Sequence, residues 1–256
     1  MRNVLLRLRY DGTHFKGWQR QLDQRTVQGE LERALGQMFG QDYRLATSSR
    51  TDSGVHGWRH PVTIITSKPI SISAIQRGLN ALTPKDIAII DAQVVPLSFG
   101  ARRDAIGKTY QYHLYQSLHQ DPYVEPYAWR ISKPLNLDAM RKAGRFLIGK
   151  HDFSAFRASH CDARSPVRQL HAVHIGRENR HITITVNGNA FLRNMVRIIA
   201  GNLVEVGVGR FEPDWMAHVL ESKDRGEGGR TAPGRGLFLL DVSYPTELVA
   251  SGAHEW

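Results

Sequence analysis

The sequence predicts an α+β protein of two similar halves, each with an antiparallel or mixed sheet and helices on one face, joined into one extended sheet around a central basic cleft. Two observations predict this class. Segments in which apolar and polar residues alternate, as in half-buried strands, are interleaved with segments whose apolar residues recur at helical spacing. The same succession begins again near Arg103, with no Pro/Ser-rich linker before it. The predicted halves are residues 1–104 and 105–246, followed by a short tail of residues 247–256.

The N-terminal half begins with a predicted strand over Val4–Tyr10, where apolar and polar side chains alternate. Residues 26–39 place apolar side chains on one helical face, with Thr26 as the N-cap. Ser73 is predicted to begin a second helix, which Pro84 ends. Further strands are predicted over Tyr43–Thr47, Val62–Thr66 and Ile87–Val95.

The C-terminal half shows a similar pattern. Asn136 is predicted to cap a helix whose inward face includes Phe146. A helix predicted from Phe191 carries an apolar stripe, with Arg193 and Arg197 beside it. A short helix is predicted from residue 213, and strands are predicted over residues 109–115, 169–175, 181–188 and 237–244.

The composition, with 41% hydrophobic and 23% charged residues in a chain of 256, is that of a globular protein. No apolar run approaches the roughly 20 residues that a membrane helix needs. A single cysteine, Cys161, excludes an internal disulfide framework and fits a reducing compartment. We therefore predict a cytoplasmic protein without membrane contact.

The charge balance is the informative part of the composition. Lys and Arg number 34 against 24 acidic residues, so the formal net charge is +10. A chain this basic is expected to attract polyanions, because neutralising phosphates releases condensed counterions. The arginines are spread along the chain, which favours a folded basic groove over a basic tail. A solvated basic surface is the alternative interpretation, and composition does not distinguish RNA from DNA.

The stretch SRTDSGVH places Asp52 close to Arg50 and His56 on a glycine-containing loop after a predicted strand. An aspartate followed by Ser-Gly commonly stabilises its own turn, and that interpretation stays open. Loops at strand ends also carry functional side chains on a rigid base. Asp52 is therefore a candidate catalytic carboxylate.

Metal and nucleotide motifs are weak. His56 and His60 have the spacing of two ligands on one helical face, but Gly57 and Pro61 make a helix there improbable. The stretch GEGGRTAPGRG lacks the Gly-Lys-Ser/Thr ending of a phosphate-binding loop. It is either a flexible surface loop or a nucleic-acid contact. We predict no metal and no nucleotide cofactor.

Six blocks, in order, closely resemble those of the bacterial tRNA pseudouridine synthase A family. They are YDGTHFKGWQRQ with TVQGELERAL, SSRTDSGVH, FGARRDAIGKTYQYHLY, HDFSAF, GNAFLRNMVRIIAGNLVEVG, and TAPGRGLFLLDVSYP. The resemblance runs from about Tyr10 to Tyr244. Six ordered blocks are far more specific than any single short motif.

The resemblance implies isomerisation of uridine to pseudouridine in the anticodon stem-loop of tRNA, at positions 38–40. Nothing is oxidised and no atom is added, so no cofactor or metal is needed. It also implies tRNA as the partner and a homodimer. The alternative is a tRNA-binding protein or chaperone of the same fold that has lost catalysis. A metal-dependent nuclease that uses Asp52, His56 and His60 fits less well, because their spacing does not suit a metal site and no second carboxylate lies near Asp52 in the sequence.

The resemblance also assigns roles to individual residues. It implies that Asp52 is the essential carboxylate, that Arg197 is its charged partner and that Tyr110 packs against the target base. Arg50 corresponds to an arginine that helps to displace the base, and Leu237 to an apolar residue lining the pocket. Weaker candidates for phosphate contacts are Lys16, Gln19, Arg20 and Arg102.

The chain departs from the family pattern at several positions. Ser53 and Gly57 stand where the family generally has alanine, and Gly100 stands where a histidine is common. Arg103 and the TAPGRGL sequence also differ from the usual pattern. We expect these differences to affect RNA affinity more than chemistry.

Overall fold

A computed structural model describes residues 1–159, 161 and 163–249. These residues form ten strands and five α-helices, which confirms the α+β class. The chain divides into two compact units. The first unit contains residues 1–107 and 239–249, and the second contains residues 108–238.

The first unit is built around the strand β1. The elements of this unit are β1 (Arg2–Tyr10), α1 (Val27–Phe39), β2 (Arg44–Thr47), β3 (His56–Thr66), α2 (Ile72–Leu82) and β4 (Ile87–Val95). Strand β1 pairs antiparallel with β3 on one side and with β4 on the other, and β2 pairs antiparallel with β3. Apolar side chains of β1, β3, β4 and both helices form one buried cluster. The sheet therefore holds the C-terminal end of β1 next to the N-terminal end of β3.

The helix starts of this unit follow their capping side chains. The Thr26 hydroxyl accepts a hydrogen bond from Gly29 N at 3.2 Å, which confirms the predicted cap of α1. The prediction that Ser73 begins α2 is wrong by two residues. Ser71 is the cap, because its extended backbone lets its hydroxyl accept from Ala74 N at 3.3 Å.

The second unit contains the remaining elements. They are β5 (Gly107–Gln116, from residue 108), β6 (Trp129–Ile131), α3 (Leu137–Arg145), β7 (Gly149–Asp152), β8 (Val167–Glu178), β9 (His181–Gly188), α4 (Met195–Gly207), α5 (Trp215–Ser222) and the start of β10 (Leu237–Ser243). Strand β9 pairs antiparallel with β5 and β8, and β8 pairs antiparallel with β7. Strand β6 pairs parallel with β5. The short strands β6 and β7 were not predicted.

Two helix predictions in the second unit need correction. Asn136 does cap α3, accepting from Ala139 N at 3.0 Å. Phe146, however, lies beyond the helix end and is 42% exposed instead of facing the core. Helix α4 begins at Met195 and not at Phe191, because Asn194 has a φ of 63°, a left-handed conformation that a helix cannot continue through.

The bounds of the predicted halves stay a prediction, as does the central cleft. The predicted boundary at 104/105 lies close to the start of the second unit. Residues 239–246, assigned from sequence to the C-terminal half, lie in the first unit because β10 is the neighbour of β3 there. Of the predicted tail, residues 250–256 lie outside the described residues. None of the helices in the described part of the chain has the length and apolar character that crossing a membrane requires.

Candidate active site

The first candidate region is residues 49–55 of the first unit, here called the Asp52 loop, which connects β2 with β3. Three backbone hydrogen bonds fix it. Trp18 N donates to Thr51 O at 3.0 Å, Val55 N donates to Asp52 O at 3.2 Å, and Gly54 N donates to Phe15 O at 3.3 Å. The loop is therefore fixed on both sides of Asp52, whose side chain is half-buried.

A glycine allows this close approach. Gly17 has a φ of +94°, and a Cβ atom at this position would lie 2.7 Å from Thr51 O. A side chain at position 17 would be strained by the left-handed backbone conformation and would also clash with the carbonyl oxygen of Thr51. Glycine therefore lets the segment before α1 run against the Asp52 loop.

His56, at the end of the loop, is buried. Its Nδ1 accepts a hydrogen bond from Gly12 N at 3.0 Å and lies 3.3 Å from Asp11 Oδ1. His60 is hydrogen-bonded through its two ring nitrogens to Tyr10 and Thr47 instead. Within the described ranges, no group of three or more His, Cys, Asp or Glu side chains is placed to hold a metal ion.

The other predicted residues of the first unit lie on its surface. The exposed residues are Arg50, Lys16, Gln19, Arg20 and Arg102. Arg50 lies in the Asp52 loop itself, two residues before the carboxylate. Arg20 forms an exposed ion pair with Glu32 at 3.2 Å. Arg50 and Asp52 therefore lie on one loop, Arg50 exposed and Asp52 half-buried.

The second candidate region surrounds Arg197, in the first turn of α4 in the second unit. Its Nε donates to Ala232 O at 2.8 Å, and its Nη1 donates to Asn194 Oδ1 at 3.0 Å. Ala232 N in turn donates to Arg197 O at 3.1 Å. These bonds fix the direction of the guanidinium, which is half-buried.

The glycine-rich segment, residues 226–236, packs on α4. A Cβ atom at Gly201 would lie 1.8 Å from Arg230 O, so the helix and the segment touch backbone to backbone. Gly229 N donates to Asn202 Oδ1 at 2.8 Å. The segment is therefore held against α4 and is not a loose surface loop. Its packing on α4 does not test whether it also contacts nucleic acid.

Tyr110 and Leu237 are both buried in the second unit, with 8% and 6% exposure. The ring of Tyr110 meets Phe191 edge to face at 5.1 Å. The Tyr112 hydroxyl donates to Pro233 O at 2.8 Å. Burial raises the pKa of Tyr112 well above its usual range, although the positive charge of Arg197 opposes this, so Tyr112 is neutral at physiological pH.

A family model described as tRNA pseudouridine synthase matches residues 8–102 and 143–245, which together exceed half of the chain. The chain belongs to the tRNA pseudouridine synthase family. This is a family of isomerases.

Full-length relatives agree with this family. The chain is 43% identical over 244 residues to tRNA pseudouridine synthase A of Geotalea daltonii (strain DSM 22248 / JCM 15807 / FRC-32), covering 95% of this chain and 100% of the relative. It is 41% identical over 249 residues to the protein of that name from Syntrophotalea carbinolica (strain DSM 2380 / NBRC 103641 / GraBd1), covering 97% and 99%. A solved structure of a Cbf5-Nop10-Gar1 complex aligns with a TM-score of 0.33 and 11% identity, covering 81% of this chain and 55% of that chain.

The structure shows what three residues that depart from the family pattern contact. The Ser53 hydroxyl donates to Phe15 O at 3.3 Å, so the serine adds a hydrogen bond to the Asp52 loop. At Gly57 a Cβ atom would lie 2.3 Å from Tyr10 Cε1, so the tyrosine ring takes the space that an alanine methyl needs. Arg103 forms an ion pair with Asp104 at 2.9 Å, and that hydrogen bond lowers the pKa of Asp104.

Sequence reasoning missed three residues around these regions, namely Tyr10, His60 and Tyr112. Tyr10 and Tyr112 stand in blocks that resemble the family, which is the one signal that could have found them. The spacing of His56 and His60 points only to a metal pair and gives no sign of the bonds that His60 makes to Tyr10 and Thr47. These three residues make contacts with partners that are distant in the sequence, as Tyr112 does with Pro233, so a local sequence motif does not reveal those contacts.

Proposed function

We propose that this protein isomerises uridine to pseudouridine in the anticodon stem-loop of tRNA, at positions 38–40, with Asp52 as the essential carboxylate. Family membership over nearly the whole chain is the observation that carries the proposal. The formal net charge of +10 agrees with a polyanionic substrate.

The reaction conserves every atom of the nucleotide except one exchanged proton. The bond from N1 of uracil to C1′ of ribose breaks, and a bond from C5 to C1′ forms. C5 loses its hydrogen to solvent, and N1 gains a proton. Asp52 acts either as a nucleophile or as a base. In both roles it must approach the nucleoside in a fixed geometry, because misplacement by about 1 Å can lower a rate about 100-fold.

The Asp52 loop fits this demand. Its backbone is held at Thr51 O, Asp52 O and Gly54 N, and its neighbour Arg50 is exposed. A target base stacked in a stem must be extruded at a cost of a few kcal/mol, and contacts to the displaced nucleotide can offset that cost. We assign Arg50 to this step, as the resemblance implies.

The remaining assignments follow the family resemblance. Arg197 is the proposed charged partner of Asp52, Tyr110 the residue against the base, and Leu237 an apolar pocket residue. The proposed phosphate contacts are Lys16, Gln19, Arg20 and Arg102. A homodimer and a cytoplasmic location are also proposed, and sedimentation of the purified protein tests the first of these.

The assay uses tRNA carrying tritium on C5 of its uridines. The wild-type protein should release tritium to water, also in the presence of a chelator. Asp52→Asn should abolish release while leaving tRNA binding and the melting temperature near wild type. The matched control is Asp138→Asn, a carboxylate with 83% of its side chain exposed on α3, which should release tritium normally.

Three outcomes would contradict the proposal in different ways. Near-normal release by Asp52→Asn would remove Asp52 from the chemistry. Wild-type protein that binds tRNA but releases no tritium would favour the inactive tRNA-binding alternative. A tRNA in which uridines 38–40 are replaced by cytidine should release nothing, and continued release would place the target elsewhere.

A further inference from the structure

A chain of buried side chains lies directly behind the Asp52 loop. The Thr51 hydroxyl is 2.8 Å from the Tyr10 hydroxyl, which is 3.0 Å from His60 Nδ1. His60 Nε2 is 2.6 Å from Thr47 Oγ1. We propose that Tyr10 and His60 are positioning residues that hold Thr51, and through it the backbone of Asp52, in the reactive geometry. The inference rests on the proposed function.

The burial of these groups makes their hydrogen bonds necessary. Tyr10 is 3% exposed, His60 0% and Thr51 8%. A buried polar group that loses its partner destabilises a protein, because its lost hydration is no longer compensated. Each member of the chain therefore restricts the position of the next. Thr51, at the end of the chain, precedes Asp52 directly.

The surroundings of Thr47 set the direction of the hydrogen bonds. Its hydroxyl lies 3.1 Å from Ser49 O and 3.3 Å from Pro61 O, and carbonyl oxygens only accept. The single hydroxyl proton of Thr47 is directed to these carbonyls, so His60 Nε2 carries a proton and donates to Thr47. The proton position on His60 follows from this network of acceptors.

The direction continues toward the Asp52 loop. In a neutral imidazole with a proton on Nε2, Nδ1 is an acceptor. The Tyr10 hydroxyl therefore donates to His60, and its oxygen accepts from the Thr51 hydroxyl. In this arrangement the tautomer of His60 and the rotamer of Thr51 are coupled through the Tyr10 hydroxyl.

Trp18 ties the same two residues together from another side. Its indole stacks on the His60 ring at 4.2 Å with an interplanar angle of 19°. Its backbone N–H donates to Thr51 O at 3.0 Å. Thr51 is thus held at its side chain through Tyr10 and at its carbonyl by Trp18. This arrangement fixes the peptide that leads into Asp52 with two independent contacts.

The proposal predicts a specific kinetic effect. Losing the Tyr10 hydroxyl removes the acceptor for Thr51 but keeps the ring in its place beside Gly57. The loop then samples positions in which Asp52 is misplaced, while exposed RNA contacts are unchanged. We expect Tyr10→Phe to lower kcat about tenfold. This is less than the roughly 100-fold loss expected when a catalytic group is misplaced by about 1 Å, because Asp52 is misplaced for only part of the time. The KM for tRNA should change less than about twofold.

The experiment compares Tyr10→Phe, Thr51→Val, their double variant and Thr51→Ser in the tritium-release assay, with melting temperatures and tRNA dissociation constants. Thr51→Ser keeps a hydroxyl and should recover most of the kcat lost in Thr51→Val. The double variant should be no slower than the slower single variant, because both remove the same hydrogen bond. The control is Tyr43→Phe, which removes a hydroxyl bond to Glu32 O in the same unit.

The outcomes separate the two proposals. If the wild type is active and Tyr10→Phe keeps kcat within about twofold, the positioning role is wrong whatever happens to the melting temperature. If the wild type releases no tritium, the proposed function fails. The hydrogen-bond chain is then tested by ¹⁵N NMR of His60, which should show a protonated Nε2 and an unprotonated Nδ1. The opposite tautomer would overturn the chain.

Discussion

The Asp52 loop and the Arg197 region hold their candidate side chains by different means. The loop is fixed through backbone carbonyls and through Thr51, with several contacts from Phe15, Trp18 and Tyr10. Arg197 is fixed through its own guanidinium, which donates to Ala232 O and to Asn194 Oδ1. The bond to Ala232 O depends on the close backbone approach between α4 and the glycine-rich segment at Gly201. We therefore expect the loop to weaken gradually under substitution, and the contact between α4 and the glycine-rich segment to be most sensitive at Gly201.

The largest effect is expected at Gly201. Gly201→Ala places a methyl 1.8 Å from Arg230 O, so the glycine-rich segment must move away from α4. We expect a loss of about 3 kcal/mol in the free energy of unfolding, the upper range for overpacking. Urea denaturation measures this free energy.

The control is Gly36→Ala in α1, where no heavy atom lies within 4 Å of the new methyl. Gly36→Ala should stabilise by about 0.5–1 kcal/mol. A Gly201→Ala protein as stable as wild type would show that the contact between α4 and the glycine-rich segment does not depend on Gly201.

The next effect is expected at Arg197 itself. In Arg197→Lys, one ammonium replaces the planar fork and does not reproduce both bonds to Ala232 O and Asn194 Oδ1. Losing charge-assisted hydrogen bonds of this kind lowers stability by about 1.5–3 kcal/mol. Thermal unfolding tests this, and tritium release should fall with it. Full activity in the lysine variant would mean that charge alone matters at this position.

A smaller effect is expected at Gly57, where the loop region has its tightest side-chain contact. Gly57→Ala pushes on the Tyr10 ring, which can shift only by disturbing its hydroxyl bonds to Thr51 and His60. We expect a loss of about 1–2 kcal/mol, in the lower range for overpacking. The variant should also show the kinetic pattern of Tyr10→Phe. If stability falls but kcat is unchanged, the ring position does not control Asp52.

The smallest effect is expected at Ser53, whose hydroxyl adds one bond to a loop that several others already hold. Ser53→Ala should change stability by less than about 0.5 kcal/mol, as is usual for exposed positions. Tritium release should stay normal. A loss as large as that of Gly57→Ala would show that the loop contacts are not redundant.

The sequence predicted the parts of this molecule that depend on local patterns. Alternation predicted β1, and the hydroxyl of Thr26 predicted the start of α1, because both depend on neighbours within a few residues. The motif around Asp52 was also visible. The left-handed conformation of Asn194, which shortens α4, was not visible, since asparagine occurs in helices and only occasionally adopts the left-handed conformation.

The contacts behind the Asp52 loop were beyond sequence reasoning for a different reason. Tyr10 meets His60 and Thr51 because the β1–β3 register places Tyr10 opposite Gly57. That register is fixed by a core spread over both strands and helices. Gly201 is a similar case, since a glycine inside an apolar helix does not reveal which backbone approaches it.

Strand β10 has a consequence for synthesis of the chain on the ribosome. Its residues from 239 onward belong to the first unit, where Ser243 O accepts from Ile106 N at 2.9 Å and the Tyr244 hydroxyl donates to Ala101 O at 2.7 Å. The first unit therefore cannot be completed until a segment is translated that lies more than 130 residues after Gly107. Until that segment emerges, β3 lacks its β10 neighbour, and the part of that edge that β2 does not cover is open to pairing with other chains.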